Sequence, residues 1–235
     1  MAPTVLFLRN EHIATEAMLG DAFVDSGYEV ATFDVVPPGA DAAAVDVVFP
    51  DPRDYDVVVP LGASWPVYGG MSWVEAEMQM MRDAAAAGVA TLGVCFGGQL
   101  LAQAFGGSVA RAEVPEIGWY EIDTDDADLV PGGRWFQWHF DTWRLPPGAT
   151  ELARTANASQ AFLLGRTLAL QFHPELDADL LETWLAAGAD EVAAAGLSVD
   201  QLRSATSESA TDAGARLRHL VAEFTRRVVA QPCPS

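Results

Sequence analysis

The stretch Thr91–Gly107, TLGVCFGGQLLAQAFGG, places a cysteine between glycines, directly after an apolar run and before a run of helical composition. This order predicts a strand, a tight turn at Cys95 and then a helix. At such a turn the cysteine side chain projects above the sheet, the helix N-terminus favours its thiolate, and backbone N–H groups face a developing oxyanion. The turn is crowded, so the positions two before and two after the cysteine must be nearly free of side chain, and they are Gly93 and Gly97. The stretch therefore predicts a nucleophilic cysteine, and the alternative is a buried structural cysteine in a glycine-rich turn.

Short β-rich runs alternate with longer helical patterns in the first part of the chain, which is typical of a parallel sheet with helices on both faces. The predicted strands are Thr4–Leu8, Tyr28–Phe33, Tyr55–Pro60 and Val89–Val94. The predicted helices are Ile13–Ser26, Ser72–Ala87 and Gln99–Phe105.

Between Gly107 and Phe172 the pattern changes to strand-like pieces separated by turns, which favours antiparallel strands that extend or flank the sheet. These pieces are Gly118–Thr124, Arg134–Trp143 and Thr167–His173, and the helices predicted after them are Ala178–Ala187, Val199–Arg203 and Asp212–Val229. We therefore predict a three-layer, flavodoxin-like α/β fold with a mostly parallel central sheet flanked by helices, an antiparallel extension and a helical C-terminal tail. In this prediction residues 1–190 form the main domain and residues 191–235 a helical extension packed on it.

The composition argues against several classes of partner. The formal net charge is −20, and all 13 basic residues are arginine. Such a surface repels phosphate backbones and anionic membranes, so we expect no nucleic-acid and no membrane partner. No apolar run approaches the roughly 20 residues of a membrane span.

Cys95 and Cys233 lie far apart and do not form a disulfide framework, which makes a cytoplasmic location the default. The four histidines show no metal-ligand spacing with Cys or Glu, so we predict neither a metal nor a cofactor.

A second motif supplies the partners that a nucleophilic cysteine needs. The segment LALQFHPEL ends a predicted strand with His173, Pro174 and Glu175. A thiolate needs a base, and the base needs an acceptor that fixes its tautomer. In extended geometry His173 and Glu175 point to the same side, so that Glu175 can bond one ring nitrogen while the other faces the thiol. A lone histidine at a strand end is usually an ordinary satisfied polar residue, and it is the combination with Cys95 that favours catalysis.

These blocks, together with FQWHFDTW at Phe136–Trp143, resemble the class I (triad) glutamine amidotransferases, over roughly residues 55–185. The resemblance is greatest to stand-alone domains related to the glutaminase half of GMP synthase. It implies that Cys95 attacks the side-chain amide of glutamine to give a γ-glutamyl thioester and ammonia. His173 would transfer the proton and later activate water, and Glu175 would orient His173.

The resemblance also implies substrate-binding groups. Gln99 would contact the bound glutamine, and the oxyanion hole would use the N–H groups of Phe96 and Gly62. The family's Gly-Gly-Pro at the second donor is replaced here by Leu-Gly-Ala, residues 61–63. By this resemblance, His139, Phe140 and Asp141 correspond to the segment that lines the pocket for the α-amino and α-carboxylate groups. The alternative for His139 and Asp141 is a polar turn beside aromatic core residues. Family members often carry glycine at the position of Phe140, so this side chain is expected to narrow or reshape the pocket.

Three functions remain open at this point. The first is a glutaminase that supplies ammonia to a separate synthetase or acceptor enzyme. The second is a γ-glutamyl hydrolase that acts on a γ-glutamyl amine, peptide or conjugate, favoured by the changes at Ala63 and Phe140. The third is a regulatory module that keeps the fold without the chemistry.

Overall fold

The computed structural model describes residues 2–230, which form a nine-stranded sheet covered by helices. The strands are β1 (Thr4–Arg9), β2 (Glu29–Asp34), β3 (Val57–Pro60), β4 (Ala90–Val94), β5 (Ser108–Thr124), β6 (Gly133–Arg144), β7 (Thr150–Arg154), β8 (Ser159–Leu164) and β9 (Thr167–Leu170). The helices are α1 (Ala17–Asp25), α2 (Ser72–Ala86), α3 (Phe96–Ala104), α4 (Ala178–Ala194) and α5 (Val199–Phe224).

The strand order is β2-β1-β3-β4-β9-β8-β7-β5-β6. The first five strands in this order run parallel, and the rest pair antiparallel from β9 outward. The carboxyl ends of β1, β3 and β4 therefore meet at one edge of the sheet. In open α/β sheets ligands bind outside this edge, where the strand order reverses.

The sheet separates two hydrophobic cores. On one face α1 and α5 bury Phe23, Leu217 and Phe224 against strand residues such as Phe7. On the other face α2 and α3 bury a second set that includes Trp73. Strands β1, β3 and β4 are buried on both sides, as their continuous apolar runs require, whereas the edge strand β2 is partly exposed. The predicted three-layer α/β fold with a mostly parallel centre and a helical C-terminal part is confirmed.

Several predicted boundaries were wrong. The helix predicted for Ile13–Ser26 begins only at Ala17, and the residues before it form a loop at the sheet edge. The helix predicted for Gln99–Phe105 begins earlier, at Phe96, because packing overrides the poor helix propensity of the two glycines that follow. Strands β7 and β8, which connect β5 to β9 in the sheet, were not predicted.

The C-terminal helices are longer than predicted. The structure extends α4 to Ala194 through a non-helical φ/ψ pair at Gly188. One continuous α5 replaces the two pieces predicted at Val199–Arg203 and Asp212–Val229, and it ends in a π-helical turn over residues 225–229. A capping box between Ser198 and Gln201 begins α5. Cys233 lies outside the described residues, and the division at residue 190 stays a prediction.

Candidate active site

Cys95 occupies a strained turn between β4 and α3. Its backbone adopts φ 51° and ψ −108°, a conformation that side-chain-bearing residues rarely adopt and that is concentrated at functional sites. A Cβ atom at Gly97 would lie 2.0 Å from the carbonyl oxygen of Pro60, and one at Gly93 would lie 2.6 Å from the carbonyl oxygen of Gly97. The backbone can pass this close only because both positions are glycine. The structure therefore shows the steric crowding that explains glycine at positions 93 and 97.

His173 and Glu175 lie together after β9, although not in the predicted extended geometry. The backbone N–H of His173 donates to the carbonyl of Phe136 on β6 at 2.8 Å, in an isolated antiparallel bridge. A turn follows at Pro174 and Glu175. This turn still brings the two side chains into contact, because Nδ1 of His173 donates to Oε1 of Glu175 at 2.7 Å. The other ring nitrogen, Nε2, has no hydrogen-bond partner within residues 2–230.

The imidazole of His173 lies close to Cys95. Cε1 of His173 and Cβ of Cys95 both lie within 4 Å of the point that a Cβ at Gly62 would occupy. The thiol itself accepts from the side-chain amide of Gln171 at 3.7 Å. The ring of Trp184 packs edge-on against the imidazole, with 4.6 Å between the ring centroids. The structure thus brings the three side chains predicted for the triad, and the predicted oxyanion residue Gly62, into one place.

The electrostatics of this cluster favour a charged histidine. His173 is 5% exposed and Glu175 is fully buried. Burial by itself lowers the pKa of His173, but the negative charges of Glu175 and Cys95 outweigh it and raise the pKa to about 10.

A cavity of about 490 Å³ opens onto the sulfur. Its walls contain the predicted residues Gly62, Cys95, Gln99, His139, Phe140, Asp141 and His173. The cavity wall also includes three residues of α4, Trp184, Gly188 and Glu191. Helix α4 can lie this close to Trp138 on β6 only because residue 188 is glycine, since a Cβ there would lie 2.8 Å from the Trp138 ring.

Gln99 is held by the protein rather than free in the cavity. Its Nε2 donates to the carbonyl of Asp141 at 3.3 Å and to Oε1 of Gln171 at 3.2 Å. Gln171, two residues before His173, therefore links Gln99 to the thiol of Cys95. Gln171 belongs to the motif LALQFHPEL but was not predicted to be part of the site.

His139 likewise uses both ring nitrogens within the protein. Nε2 lies 3.0 Å from Oε2 of Glu116, and Nδ1 lies 3.0 Å from the carbonyl of Asp141. Glu116 is fully buried and accepts further hydrogen bonds from Thr155 and Gln160. Burial raises the pKa of Glu116, but the contacts with His139, Thr155 and Asn157 outweigh burial and lower the pKa below its ordinary value. This buried network was not predicted.

The ring of Phe140 makes a cation–π contact with the guanidinium of Arg111. The guanidinium of Arg111 lies 4.6 Å from the centroid of the Phe140 ring, and its Nη1 lies 3.9 Å from Oδ1 of Asp141. The same carboxylate oxygen accepts from the hydroxyl of Tyr68 at 3.1 Å. Arg111 and Tyr68 were not predicted, and both line the cavity. Of the described residues in its wall, Arg111 is the one arginine.

The described part of the chain contains no cluster of three or more His, Cys, Asp or Glu side chains suited to hold a metal ion. Within the same residues, no helix combines the length and apolarity of a membrane span.

Comparisons with known proteins show which family the chain resembles. Residues 32–186 match the family model described as glutamine amidotransferase class-I. The glutamine-hydrolyzing GMP synthase of Aeropyrum pernix is 38% identical over 111 residues, which cover 42% of this chain and 22% of that protein. A glutamine-hydrolyzing GMP synthase subunit from Sulfurisphaera tokodaii is 31% identical over 137 residues, 53% of this chain and 69% of that one. The crystal structure of a Thermotoga maritima glutamine amidotransferase superposes with a TM-score of 0.84 at 26% identity, covering 98% of this chain and all of that one.

Proposed function

The chain belongs to the class I glutamine amidotransferases, and from this we propose that it hydrolyses the side-chain amide of glutamine to glutamate and ammonia. One observation carries the proposal: Cys95 stands in a strained elbow at the cavity, beside a buried His173 that is hydrogen-bonded to Glu175. The arrangement supplies a nucleophile, a proton carrier and the acceptor that fixes the carrier's orientation.

The first half of the reaction forms a thioester. The thiolate of Cys95 attacks the γ-carbonyl carbon, and the carbonyl electrons move onto oxygen. When the tetrahedral intermediate collapses, the C–N bond breaks and the imidazolium of His173 gives its Nε2 proton to the departing nitrogen. Nε2 is suited to this step because Nδ1 is committed to Glu175. Ammonia leaves, and the γ-glutamyl group stays on the sulfur.

The second half regenerates the enzyme. Neutral His173 takes a proton from water, and the resulting hydroxide attacks the thioester carbon. The C–S bond breaks, glutamate leaves, and the imidazolium–thiolate pair is restored. Glu175 holds the imidazole in the same tautomer and orientation through both halves.

We assign the oxyanion to the N–H groups of Phe96 and Gly62. Phe96 is the first residue of α3, so its N–H has no intrahelical partner, and the helix N-terminus favours negative charge. Gly62 lies beside both Cys95 and His173. Preorganised donors of this kind are typically among the largest contributors to the rate.

The cavity wall contains charged and polar side chains that complement the α-ammonium and α-carboxylate groups of glutamine. We propose that Arg111, the arginine in the cavity wall, binds the α-carboxylate, and that Asp141 binds the α-ammonium group together with Oε1 of Gln99. Tyr68 and Arg111 hold the Asp141 carboxylate in place. His139 acts indirectly, because it supports the backbone of Asp141 and contacts Glu116. Phe140 supports Arg111 with its ring.

The consumer of the ammonia is a separate synthetase in this proposal. The matched segment makes up less than a quarter of the Aeropyrum pernix GMP synthase, and the Sulfurisphaera tokodaii relative is named as one subunit of such an enzyme. We infer a partner protein that accepts ammonia from the cavity.

A second candidate function is supported by the shape of the cavity. A cavity of about 490 Å³ is larger than ammonia requires, and besides the residues assigned to glutamine its wall includes Trp184 and Glu191. A larger leaving group, as in a γ-glutamyl amine or peptide, would use this space. The same three side chains would cleave such a substrate, with an amine in place of ammonia.

Two measurements test the function. Glutamate release from glutamine and from a panel of γ-glutamyl amides and peptides separates the two candidates by their kcat/KM. We expect Cys95→Ala to abolish release and Thr91→Val, which removes a buried hydroxyl pair elsewhere in the sheet, to retain it. Equal turnover by the Cys95→Ala protein would overturn the proposal.

A glutamine-analogue electrophile should add once, to Cys95, and His173→Ala should suppress the adduct in mass spectra. This labelling needs no partner protein, so it tests the site even where turnover depends on one. Failure of the wild-type protein to label would favour the regulatory module.

A further inference from the structure

Two buried polar side chains lie behind the loop that carries Gly62. Asn10 follows β1 directly, Glu77 lies on α2, and both are 0% exposed. The side-chain amide of Asn10 donates from Nδ2 to the carbonyl oxygen of Leu61 at 3.0 Å and to Oε1 of Glu77 at 3.2 Å. Buried polar groups are costly unless they are hydrogen-bonded, so such a pair needs an explanation.

The bond to Leu61 fixes a peptide plane that matters for the chemistry. The C=O of Leu61 and the N–H of Gly62 belong to the same peptide group, which is planar and trans. In a trans peptide these two bonds point in opposite directions. Asn10, which is not part of the cavity wall, holds the carbonyl on one side of the loop. The Gly62 N–H therefore faces the opposite side, and Gly62 lines the cavity together with Cys95 and His173.

We propose that Asn10 and Glu77 are positioning residues that aim the Gly62 N–H at the oxyanion, an inference that rests on the proposed function. Neither side chain belongs to the cavity wall, so both act through Leu61 and Gly62. Asn10 holds the peptide group, and Glu77 holds the amide of Asn10 so that its nitrogen, not its oxygen, faces Leu61.

A neutral carboxyl at Glu77 suits this task. Burial raises the pKa of Glu77 to about 8, with the Asn10 amide opposing the shift. A neutral carboxyl offers one acceptor and one O–H donor, and an amide offers the complementary donor and acceptor. Oδ1 of Asn10 and Oε2 of Glu77 have no hydrogen-bond partner within the described residues, and they are the atoms that such an acid–amide pair joins.

The pair also accounts for a departure from the family sequence. The family's Gly-Gly-Pro contains a proline that restricts the backbone of the residue before it. Here Ala63 follows Gly62 and imposes no such restraint. The bond from Asn10 supplies the missing restraint from outside the loop.

The test compares kcat and KM in four variants of the full chain, with glutamine or the best γ-glutamyl substrate of the panel. Asn10→Ala removes the donor to Leu61. Glu77→Met keeps the buried volume but loses the pairing with Asn10, whereas Glu77→Gln keeps a neutral amide there. Thr91→Val is the control, because it removes a buried hydrogen bond to Thr167 without touching the loop.

We expect kcat to fall about tenfold to a hundredfold in Asn10→Ala and Glu77→Met, with KM within twofold of the wild type, because a misaligned oxyanion donor acts on the transition state alone. Glu77→Gln should restore most of the activity. A merely structural role would not produce this rescue together with an unchanged KM.

Equal kcat in Asn10→Ala and Thr91→Val, or a rise in KM with kcat unchanged, would overturn the inference. If Asn10→Ala does not fold, the contrast between Glu77→Met and Glu77→Gln decides the question. Turnover by the wild-type protein tests the proposed function, while the ratio of variant to wild type tests this inference, so the two fail separately.

Discussion

Nδ1 of His173 donates a 2.7 Å hydrogen bond to Oε1 of Glu175, two residues further along a turn. This contact leaves Nε2 as the free nitrogen on the cavity side. It also places the negative charge of Glu175 where it raises the pKa of the imidazole against the effect of burial. The orientation of His173 therefore depends on one carboxylate, which together with Cys95 also favours the charged form of the imidazole.

Replacing this carboxylate should leave the active site folded and able to bind substrate but should slow turnover strongly. Glu175→Gln puts an amide beside Nδ1 and removes the charge that favours imidazolium. We expect kcat to fall by about 10²–10⁴ with KM little changed, as for removal of the equivalent charge in other triads. Glu182→Gln, on the exposed side of α4, is the matched control. A loss below threefold would show that Glu175 does not orient the base.

Arg111 should control substrate affinity rather than the chemical step. Its guanidinium lies over Phe140 and near Asp141, at the part of the cavity assigned to the α-carboxylate. We expect Arg111→Ala to raise KM by about tenfold or more, the effect of losing one charge-assisted contact, with kcat within a few-fold. Arg218→Ala, an exposed arginine on α5, should change neither constant. If kcat falls and KM does not, Arg111 acts on the transition state instead.

The elbow should not tolerate a methyl group. A Cβ at Gly97 would meet the backbone oxygen of Pro60 at 2.0 Å, and backbone cannot rotate away as a side chain can. We expect Gly97→Ala to lower the free energy of unfolding by about 3 kcal/mol or more, within the range of the largest single-residue effects. Gly132→Ala, where the nearest atom lies at 3.4 Å, should be close to neutral. Urea unfolding of the two variants measures the difference, and similar midpoints would contradict the steric account.

The elbow and the H-P-E segment could be predicted from sequence because their requirements are local. Steric crowding at a strand-to-helix turn forces glycine at fixed positions around Cys95. The alternation of apolar strands with helical patterns likewise reports the parallel half of the sheet. Each of these features is set by residues close together in the chain.

The missed parts of the site depend on contacts between distant segments. Arg111 faces Asp141 because they are register partners across β5 and β6, and a bulge between Arg111 and Glu116 shifts that register. No periodicity in either strand reveals the shift. Asn10 follows β1 and Glu77 lies on α2, so the two side chains meet only when α2 packs on the sheet that contains β1.

The single α5 was missed for a related reason. Residues 204–211, SATSESAT, have weak helix propensity and lie between the two predicted helical pieces. In the structure the capping box at Ser198 fixes the start of the helix, and buried residues such as Thr206 and Leu217 anchor it along its length. Tertiary packing outweighs local propensity here.

The buried carboxyl of Glu77 should also make stability depend on pH. In the unfolded chain its pKa is near the ordinary value of 4.5, and burial raises it to about 8 in the folded protein. Below pH 4.5 both states hold the proton, so the contribution is fully present. Between these pH values only the folded state holds the proton, and stability falls as pH rises, by about 3 kcal/mol at pH 7.

Glu77→Gln has no such proton, so its stability relative to the wild type should increase from pH 5 to pH 8. Urea titrations of both proteins at several pH values measure this difference, with Glu182→Gln as the exposed control. A constant difference across that range would mean that Glu77 is ionised in the fold.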